Sequence, residues 1–298
     1  MPLVTRRRTV LGIDVNDELF ARWSSWFAPD PQPFLIFRGG PFAQVGSPLV
    51  GGLKMELRGT FEVYSLAEHI EWRFISATEF ANSSRPLRAQ LVRSQFVLGR
   101  SRTESVRAWP SLLELGIRDQ ADGYRFVWWP SMLMGREEEV LIPYVEEGRR
   151  PSRHRDVPEL LWRNIADLLP GARRISGTFP QQSGPNCFGA VMAASGQSGA
   201  DEVWMQRDPF EAWLESRTRA GGRDASPGTV LVWRSRDGLV QHAAVTLGEG
   251  WALHKPSEGW MSPTKVLSVA EVKSSARSRG RHLTRRTLKD VGGRSPRS

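Results

Sequence analysis

Cys187, in the segment SGPNCFGAVMAA, is the only cysteine of the 298-residue chain. A lone thiol cannot form an intramolecular disulfide, so Cys187 is either a small buried side chain or a reactive group. Gly184 and Pro185 interrupt the chain before it, and apolar residues then recur at helical spacing, at Phe188, Val191 and Met192. The pattern predicts that Cys187 lies in the first turn of a helix. Unpaired N–H groups and the helix dipole there favour the thiolate and lower the thiol pKa.

The segment QHAAVTLGEGWALHK predicts a β-hairpin downstream of the cysteine, because apolar residues alternate on both sides of a glycine-containing turn. If Gly248–Gly250 form a three-residue loop, Leu247 pairs with Trp251 and His254 lies opposite Ala244. A shift by one residue would turn a histidine into the apolar core, so we expect this register.

In that register, His242 and His254 project from the same face of the hairpin, roughly 7–8 Å apart at the backbone. The opposite face is apolar and carries Val245, Leu247, Trp251 and Leu253. Two imidazoles on one face, after a cysteine at a helix start, fit a thiol nucleophile, a base that accepts its proton and a group that orients the base.

These residues resemble the NlpC-like branch of papain-fold cysteine peptidases. The shared features are a helix-start cysteine followed closely by glycine (NCFGAV), a Pro-Gly-led strand (PGTVLVW), and a strand that starts with histidine and is followed by a polar residue on the next strand (HAAVTLGEGWALHKP). The resemblance covers roughly Pro158 to Leu288 and implies a papain-like α+β fold. It implies Cys187 as nucleophile, His242 as base and His254 as the third member of the triad.

The chain departs from the family pattern around both the cysteine and the first histidine. Asn186 and Phe188 stand where the family usually has Asp and Ser, and Gln241 stands where it usually has Gly. Members of the family commonly cut γ-D-glutamyl or related bonds in cell-wall peptides, and these departures leave the substrate of this chain open.

Gln181 lies six residues before Cys187, the offset at which papain-like peptidases place an oxyanion-hole glutamine. An amide N–H there, with the backbone N–H of Cys187, would stabilise a tetrahedral oxyanion. Gln182 is adjacent and competes for this role. A polar loop without a catalytic role is the alternative for both residues.

The sequence therefore predicts a cysteine hydrolase, a peptidase or amidase or else an acyltransferase, that acts on a peptide or acyl-amide substrate without a cofactor. One alternative is a catalytically inactive papain-like module that binds a ligand or partner. A second is a zinc site of Cys187, His242 and His254, although no CxxC or HxxxH pair accompanies them.

Length and composition indicate two globular domains, since the 298 residues are 40% hydrophobic and include twelve tryptophans. We expect an α+β chain with a β-rich domain of unknown role at 1–147, a linker at 148–157, the papain-like domain at 158–290 and a basic disordered tail at 291–298. His69 is interpreted as a structural or exposed side chain, and His154 as a solvated one.

In the first domain, a helix is predicted at Asn16–Phe27. Strands are predicted at residues 34–37, Leu53–Tyr64, Ile70–Ile75, Leu91–Leu98, Tyr124–Trp129 and Val140–Val145. In the second domain, helices are predicted at Pro158–Leu169, Asp208–Ala220 and Val269–Arg277. The strands expected there are Thr229–Arg234, Gln241–Leu247, Trp251–Lys255, Lys265–Leu267 and His282–Leu288.

The net charge of +9 is concentrated at the C-terminus, because nine basic residues and one acid follow from Lys273 to the end. This segment is either a solvated tail or a contact for an anionic polymer such as nucleic acid, anionic lipid or an acidic wall polymer. No apolar run reaches the roughly 18 residues that cross a bilayer. The apolar stretch after Arg8 ends at Asp14, too short for a signal peptide. We expect a cytoplasmic protein, or one exported without a cleavable signal.

Overall fold

The computed structural model describes residues 8–115, 117 and 122–289. These residues divide into two compact units: unit 1 is residues 16–144, and unit 2 is residues 8–15 together with 145–289. The predicted basic tail at 291–298 lies outside the described residues. Both units contain helices and antiparallel strands, so the α+β class is confirmed. No helix in the described ranges is long and apolar enough to span a membrane.

Unit 2 includes a short hairpin at the start of the described chain, β1 (Arg8–Val10) and β2 (Ile13–Val15). Its turn is held by residues that follow unit 1 in sequence. The backbone N–H of Leu11 donates to Glu146 Oε1 (2.8 Å), and its carbonyl accepts from the N–H of Ser152 (2.7 Å). These bonds explain why the hairpin belongs to unit 2 rather than to the N-terminal domain predicted at 1–147.

Unit 1 is mainly helical in its described part. Its helices are α1 (Asp17–Phe27), α2 (Met55–Phe61), α3 (Ala77–Asn82), α4 (Arg85–Val97), α5 (Pro130–Leu133) and α6 (Glu137–Glu146), the last of which continues into unit 2. Its strands are β3 (Gln32–Phe37), β4 (Ser47–Pro48), β5 (Ile70–Ile75), β6 (Thr103–Ser105) and β7 (Arg125–Val127). The prediction of a β-rich domain is therefore wrong, although the strands predicted at 34–37, 70–75 and 124–129 are present.

Three segments predicted as strands, at 53–64, 91–98 and 140–145, are helical instead. In α2, Leu57 and Phe61 are buried four residues apart, and Leu53 just before the helix continues the row. The same spacing of buried residues recurs in α4 and α6, at Leu91 and Gln95 and at Val140 and Tyr144. A spacing of four satisfies both the period of a strand and that of a helix, so alternation alone did not separate them.

Helix α1 and the surroundings of His69 agree with the sequence analysis. Asn16 caps α1, since its side-chain oxygen accepts a hydrogen bond from the N–H of Leu19 (2.8 Å). The side chain of His69 is exposed, and its ring stacks on Phe37 with ring centroids 5.9 Å apart.

Unit 2 places helices before a sheet, as predicted. Its helices are α7 (Glu159–Ile165), α8 (Ala172–Ile175), α9 (Cys187–Ala194), α10 (Arg207–Arg217) and α11 (Val269–Ser275). Its larger strands are β8 (Thr218–Ala220), β9 (Thr229–Arg234), β10 (Val240–Gly248), β11 (Trp251–His254), β12 (Lys265–Ser268) and β13 (His282–Leu288). They form one antiparallel six-stranded sheet in the order β12-β11-β10-β9-β13-β8. The predicted helix at Asp208–Ala220 ends earlier than expected, because its last residues form β8.

Both faces of this sheet are covered. On one face, α9 packs against β10, and the core includes Val191, Val232, Ala243, Val245 and Leu253. On the other face, α11 covers a smaller cluster that includes Leu231, Trp233, Ala244, Ala252 and Val272. Strand β10 is therefore buried on both sides and has little freedom to shift.

The predicted linker at 148–157 is an irregular segment that packs onto unit 2. The N–H of Arg153 donates to the carbonyl of Val266 (2.8 Å), and the hydroxyl of Ser152 lies 3.0 Å from His154 Nδ1. His154 is half-buried, not solvated as the sequence suggests, and burial lowers its pKa. Hydrogen bonds to the sheet account for the difference.

Candidate active site

Helix α9 begins at Cys187, as the sequence predicts, and Asn186 caps it. The side-chain oxygen of Asn186 accepts a hydrogen bond from the N–H of Gly189 (3.1 Å), and its amide donates to the carbonyl of Met205 (2.7 Å). An N-cap side chain of this kind satisfies a helix N–H that has no partner within the helix. The residue that departs from the family pattern before the cysteine thus fixes the start of the helix.

Phe188 and Gly189 hold this first turn inside unit 2. A Cβ on Gly189 would lie 2.1 Å from the carbonyl oxygen of Ala200, so the close approach requires glycine. The ring of Phe188 stacks on Phe210 of α10, with centroids 4.5 Å apart and an interplanar angle of 12°. Cys187 therefore sits on a rigid element.

The thiol of Cys187 is buried, with 8% of the residue exposed. Burial raises its pKa to about 11, and the backbone N–H groups of Ala243, Phe188 and Cys187 itself act in the opposite direction. The cost of desolvating the thiolate outweighs its stabilisation by the N–H groups at the helix start. The prediction of a lowered thiol pKa is therefore wrong for the free chain, in which the sulfur keeps its proton at pH 7.

The β10–β11 hairpin has the expected register at the histidines but not at the turn. His254 lies opposite Ala244, as predicted. At the turn, Gly248 rather than Leu247 pairs with Trp251, because a bulge in β10 absorbs one residue. The two residues between the strands both have positive φ angles, 49° and 83°, and form a tight turn.

The hairpin brings His242 and His254 together on one face. The Nε2 atom of His242 lies 3.3 Å from Nδ1 of His254, and the ring planes are nearly perpendicular at 81°. The ring of Trp233 on β9 packs beside His242 at a centroid distance of 5.4 Å. One of the two facing nitrogens donates and the other accepts, so His254 orients His242 and selects its tautomer.

Both imidazoles are neutral at pH 7. Burial lowers the pKa of His242 to about 4, and the charge of Arg281 acts in the same direction. Burial also holds the pKa of His254 well below its ordinary value, and a protonated His242 and the charges of Lys265 and Lys255 add to this effect. Nε2 of His254 is buried and makes no hydrogen bond to any described residue.

Cys187 and the two histidines reach the same end of β10 from different sides. Cys187 belongs to the core cluster that contains Ala243, whereas Ala244 belongs to the cluster on the other face. The thiol faces the backbone N–H of Ala243, the residue after His242. Strand β11 ends at His254, opposite Ala244, so this end of β10 is not covered by β11. No hydrogen bond joins the sulfur to either imidazole in the described part of the chain.

A cavity of about 530 Å³ opens beside the segment that leads into α9. Gln181 and Gln182, the candidates for the oxyanion hole, are exposed and lie in its wall. Lys255, which no sequence motif predicted as a site residue, also lines the cavity. Strand alternation could have identified it. Lys255 directly follows His254, so the two side chains are expected on opposite faces of the hairpin.

The described residues contain no group of three or more His, Cys, Asp and Glu side chains placed to hold a metal ion. Cys187, His242 and His254 therefore do not form the zinc site that the sequence left open as an alternative.

Comparison with protein-family models, curated proteins and solved structures gives no significant match to this chain. The chemistry of the site therefore has to be inferred from its own residues.

Proposed function

We propose that unit 2 is a papain-like cysteine hydrolase, a peptidase or amidase similar to the NlpC-like branch. Cys187 is the nucleophile, His242 the general base and His254 the residue that orients the base. The observation that carries the proposal is the contact of His242 Nε2 with His254 Nδ1 at 3.3 Å, at the end of β10 that Cys187 faces. A nucleophile, a base and an orienting group are the minimum set for thiol catalysis.

The tautomers follow from this contact. In the proposed state, Nε2 of His242 carries the hydrogen and donates it to Nδ1 of His254, so Nδ1 of His242 is free to accept a proton. His254 then carries its own hydrogen on Nε2. Since the free chain holds a neutral thiol and a neutral imidazole, proton transfer to His242 accompanies the attack of sulfur on the substrate.

Attack of Cys187 Sγ on an amide carbonyl forms a C–S bond and a tetrahedral oxyanion. Collapse of this intermediate breaks the C–N bond, and His242 returns its proton to the departing amine. A water molecule, deprotonated by His242, then attacks the thioester, releases the carboxylic acid and restores the thiol. If an amine takes the place of water, the same steps give acyl transfer.

The proposed oxyanion donors are the backbone N–H of Cys187 and the side-chain amide of Gln181 or Gln182. Both glutamines line the cavity next to α9, which supports this assignment. Donors fixed before the reaction stabilise the developing charge without reorganisation.

A second candidate is a papain-like module that binds a ligand without catalysis. Two observations favour it: burial raises the pKa of Cys187 to about 11, and the sulfur makes no hydrogen bond to an imidazole in the free chain. A third is that the imidazoles share the face of β10 with Ala244 and Trp233, opposite to the face that Cys187 contacts. The hydrolase is preferred because both histidines stand at the end of β10 that β11 leaves uncovered, where His242 can approach the sulfur once substrate binds.

Acylation of Cys187 by p-nitrophenyl acetate separates the two candidates. As the general base, His242 should accelerate the formation of S-acetyl-Cys187, measured by mass spectrometry and nitrophenol release, by about 100-fold over His242→Ala. The matched control is His69→Ala, an exposed histidine of unit 1 that should leave the rate unchanged. Equal rates in the wild type and His242→Ala would assign unit 2 to the binding module.

A further inference from the structure

The cavity beside the segment that leads to Cys187 lies between two loops of unit 2. Residues 178–182 line it on one side and lead toward α9, and Lys255 and Thr264 line it on the other. Backbone hydrogen bonds join the loops, from the N–H of Gly184 to the carbonyl of Glu258 (2.8 Å) and from the N–H of Thr264 to the carbonyl of Thr178 (2.9 Å). The width of the cavity is therefore fixed by the backbone.

Lys255 brings a buried cation into this cavity. Only 2% of the residue is exposed, and its Nζ donates to the carbonyl of Ser262. An ammonium group has three N–H donors, so Ser262 leaves two of them for another acceptor. Within the described ranges, Lys255 forms no ion pair with a carboxylate. A buried cation without a paired anion is costly, and such groups cluster at functional sites.

The position of Lys255 relates it to the nucleophile. Burial lowers its pKa to about 7, and Cys187 in its thiolate form and the carboxylate of Glu258 act in the opposite direction. The ammonium and the sulfur are thus close enough to interact electrostatically. A negative group bound at Lys255 would also place its neighbouring atoms near Cys187.

The other charges of the cavity are exposed or already paired. Arg174 donates two hydrogen bonds to the carboxylate of Asp201, at 2.9 and 3.1 Å. Glu202 is exposed, so water and salt screen its charge. Lys255 is therefore the charged group of the lining that is both buried and free to pair with a ligand.

We propose that this cavity is the substrate pocket of unit 2, and that Lys255 makes it selective for a carboxylate on the molecule that Cys187 attacks. The proposal rests on the assigned role of Cys187 as the nucleophile. It predicts an anionic acyl or amine group as part of the substrate, held by Lys255 at the buried end of the cavity.

Two alkylating reagents that differ in charge test this selectivity without a known substrate. Iodoacetate carries a carboxylate, and iodoacetamide is its neutral counterpart of nearly the same size. The measured quantity is the ratio of their second-order rate constants at Cys187, obtained by mass spectrometry at pH 6.5 and matched ionic strength. We expect this ratio to be about tenfold higher in the wild type than in Lys255→Met.

Lys265→Met is the matched control, because Lys265 is also buried and donates to a backbone carbonyl, that of Arg150 (2.8 Å), but does not line the cavity. It should keep the wild-type ratio, and Lys255→Arg should keep most of it. If Lys255→Met fails to fold, the ratio of the folded wild type is compared with that of the same chain in urea, and a tenfold excess in the folded chain supports the proposal.

An equal ratio in the wild type and a folded Lys255→Met variant would overturn the proposal, and so would a folded wild type whose ratio does not exceed that of the unfolded chain. The outcome is independent of general-base catalysis, since His242→Ala should change both rate constants together and leave their ratio unaltered.

Discussion

Nε2 of His242 and Nδ1 of His254 lie 3.3 Å apart across the β10–β11 hairpin, so the second imidazole determines which nitrogen of the first can act as a base. His254→Ala removes this partner and should slow acylation of Cys187 by p-nitrophenyl acetate by about 100-fold. His254→Gln should retain most of the rate, because its amide oxygen can still accept the hydrogen on Nε2. The same rate in both variants as in the wild type would exclude the orienting role of His254.

Alkylation of Cys187 should report the raised pKa of its thiol. Since this pKa is about 11, the iodoacetamide rate of the folded chain should rise about tenfold per pH unit from pH 8 to pH 10. In urea, the labelling rate of the single cysteine should instead level off once the pH passes its ordinary pKa of 9.0. Stopped labelling followed by mass spectrometry gives both curves. A rate that is constant from pH 5 to pH 9 would indicate a thiolate–imidazolium pair and contradict the neutral resting state.

The stability of unit 2 should fall in acid because of the histidine pair. The pKa of His242 is about 4 in the folded chain and 6.5 when unperturbed, so the unfolded chain takes up the proton first as pH falls. The stabilisation is complete above pH 6.5 and is lost by pH 4, a difference of about 3 kcal/mol from His242. Urea unfolding at several pH values measures it. His242→Gln should reduce the dependence of the unfolding free energy on pH, whereas His69→Gln should keep it. An equal dependence in the two variants would contradict the attribution of the acid loss to His242.

The close approach of α9 to Ala200 predicts that Gly189→Ala destabilises unit 2. The added Cβ would lie 2.1 Å from a backbone oxygen, which cannot move without displacing its turn, so we expect a loss of about 2 kcal/mol or more in unfolding free energy. Gly59→Ala in α2 is the matched control, because open space surrounds that position. The control should gain about 0.5 kcal/mol from helix propensity. Thermal or urea unfolding that shows no loss for Gly189→Ala would rule out this packing.

Much of unit 2 could be predicted from the sequence because its strands combine β-branched residues with clear turn residues. Thr229–Arg234 and His282–Leu288 are strands over the expected ranges. The position of His242 and His254 on one face of the hairpin followed from the alternation of its side chains. The bulge near Leu247 could not be predicted, since one extra residue in β10 changes only the turn and leaves the apolar pattern intact.

Unit 1 and the state of the thiol were mispredicted for a different reason: both depend on tertiary burial. In α2, Leu57 and Phe61 fit a strand and a helix equally well, and packing decides between them. At Cys187, the local helix start favours the thiolate, whereas the surrounding core disfavours it, and the extent of burial is not visible in the sequence. Lys255 was missed because strand alternation places it on the face opposite His254, but no motif marks that position as part of a site.

The backbone bonds between the loops at 177–184 and 255–264 have a consequence for how this protein could diversify. The hydroxyl of Ser183 accepts a hydrogen bond from the N–H of Trp260 (3.1 Å), and the N–H of Gly184 donates to the carbonyl of Glu258 (2.8 Å), both in the loop that follows Lys255. An insertion or deletion in either loop would displace the other, and with it the approach to the sulfur. Changes of specificity that preserve reactivity should therefore arise by exchange of single side chains in these loops, rather than by remodelling of their length.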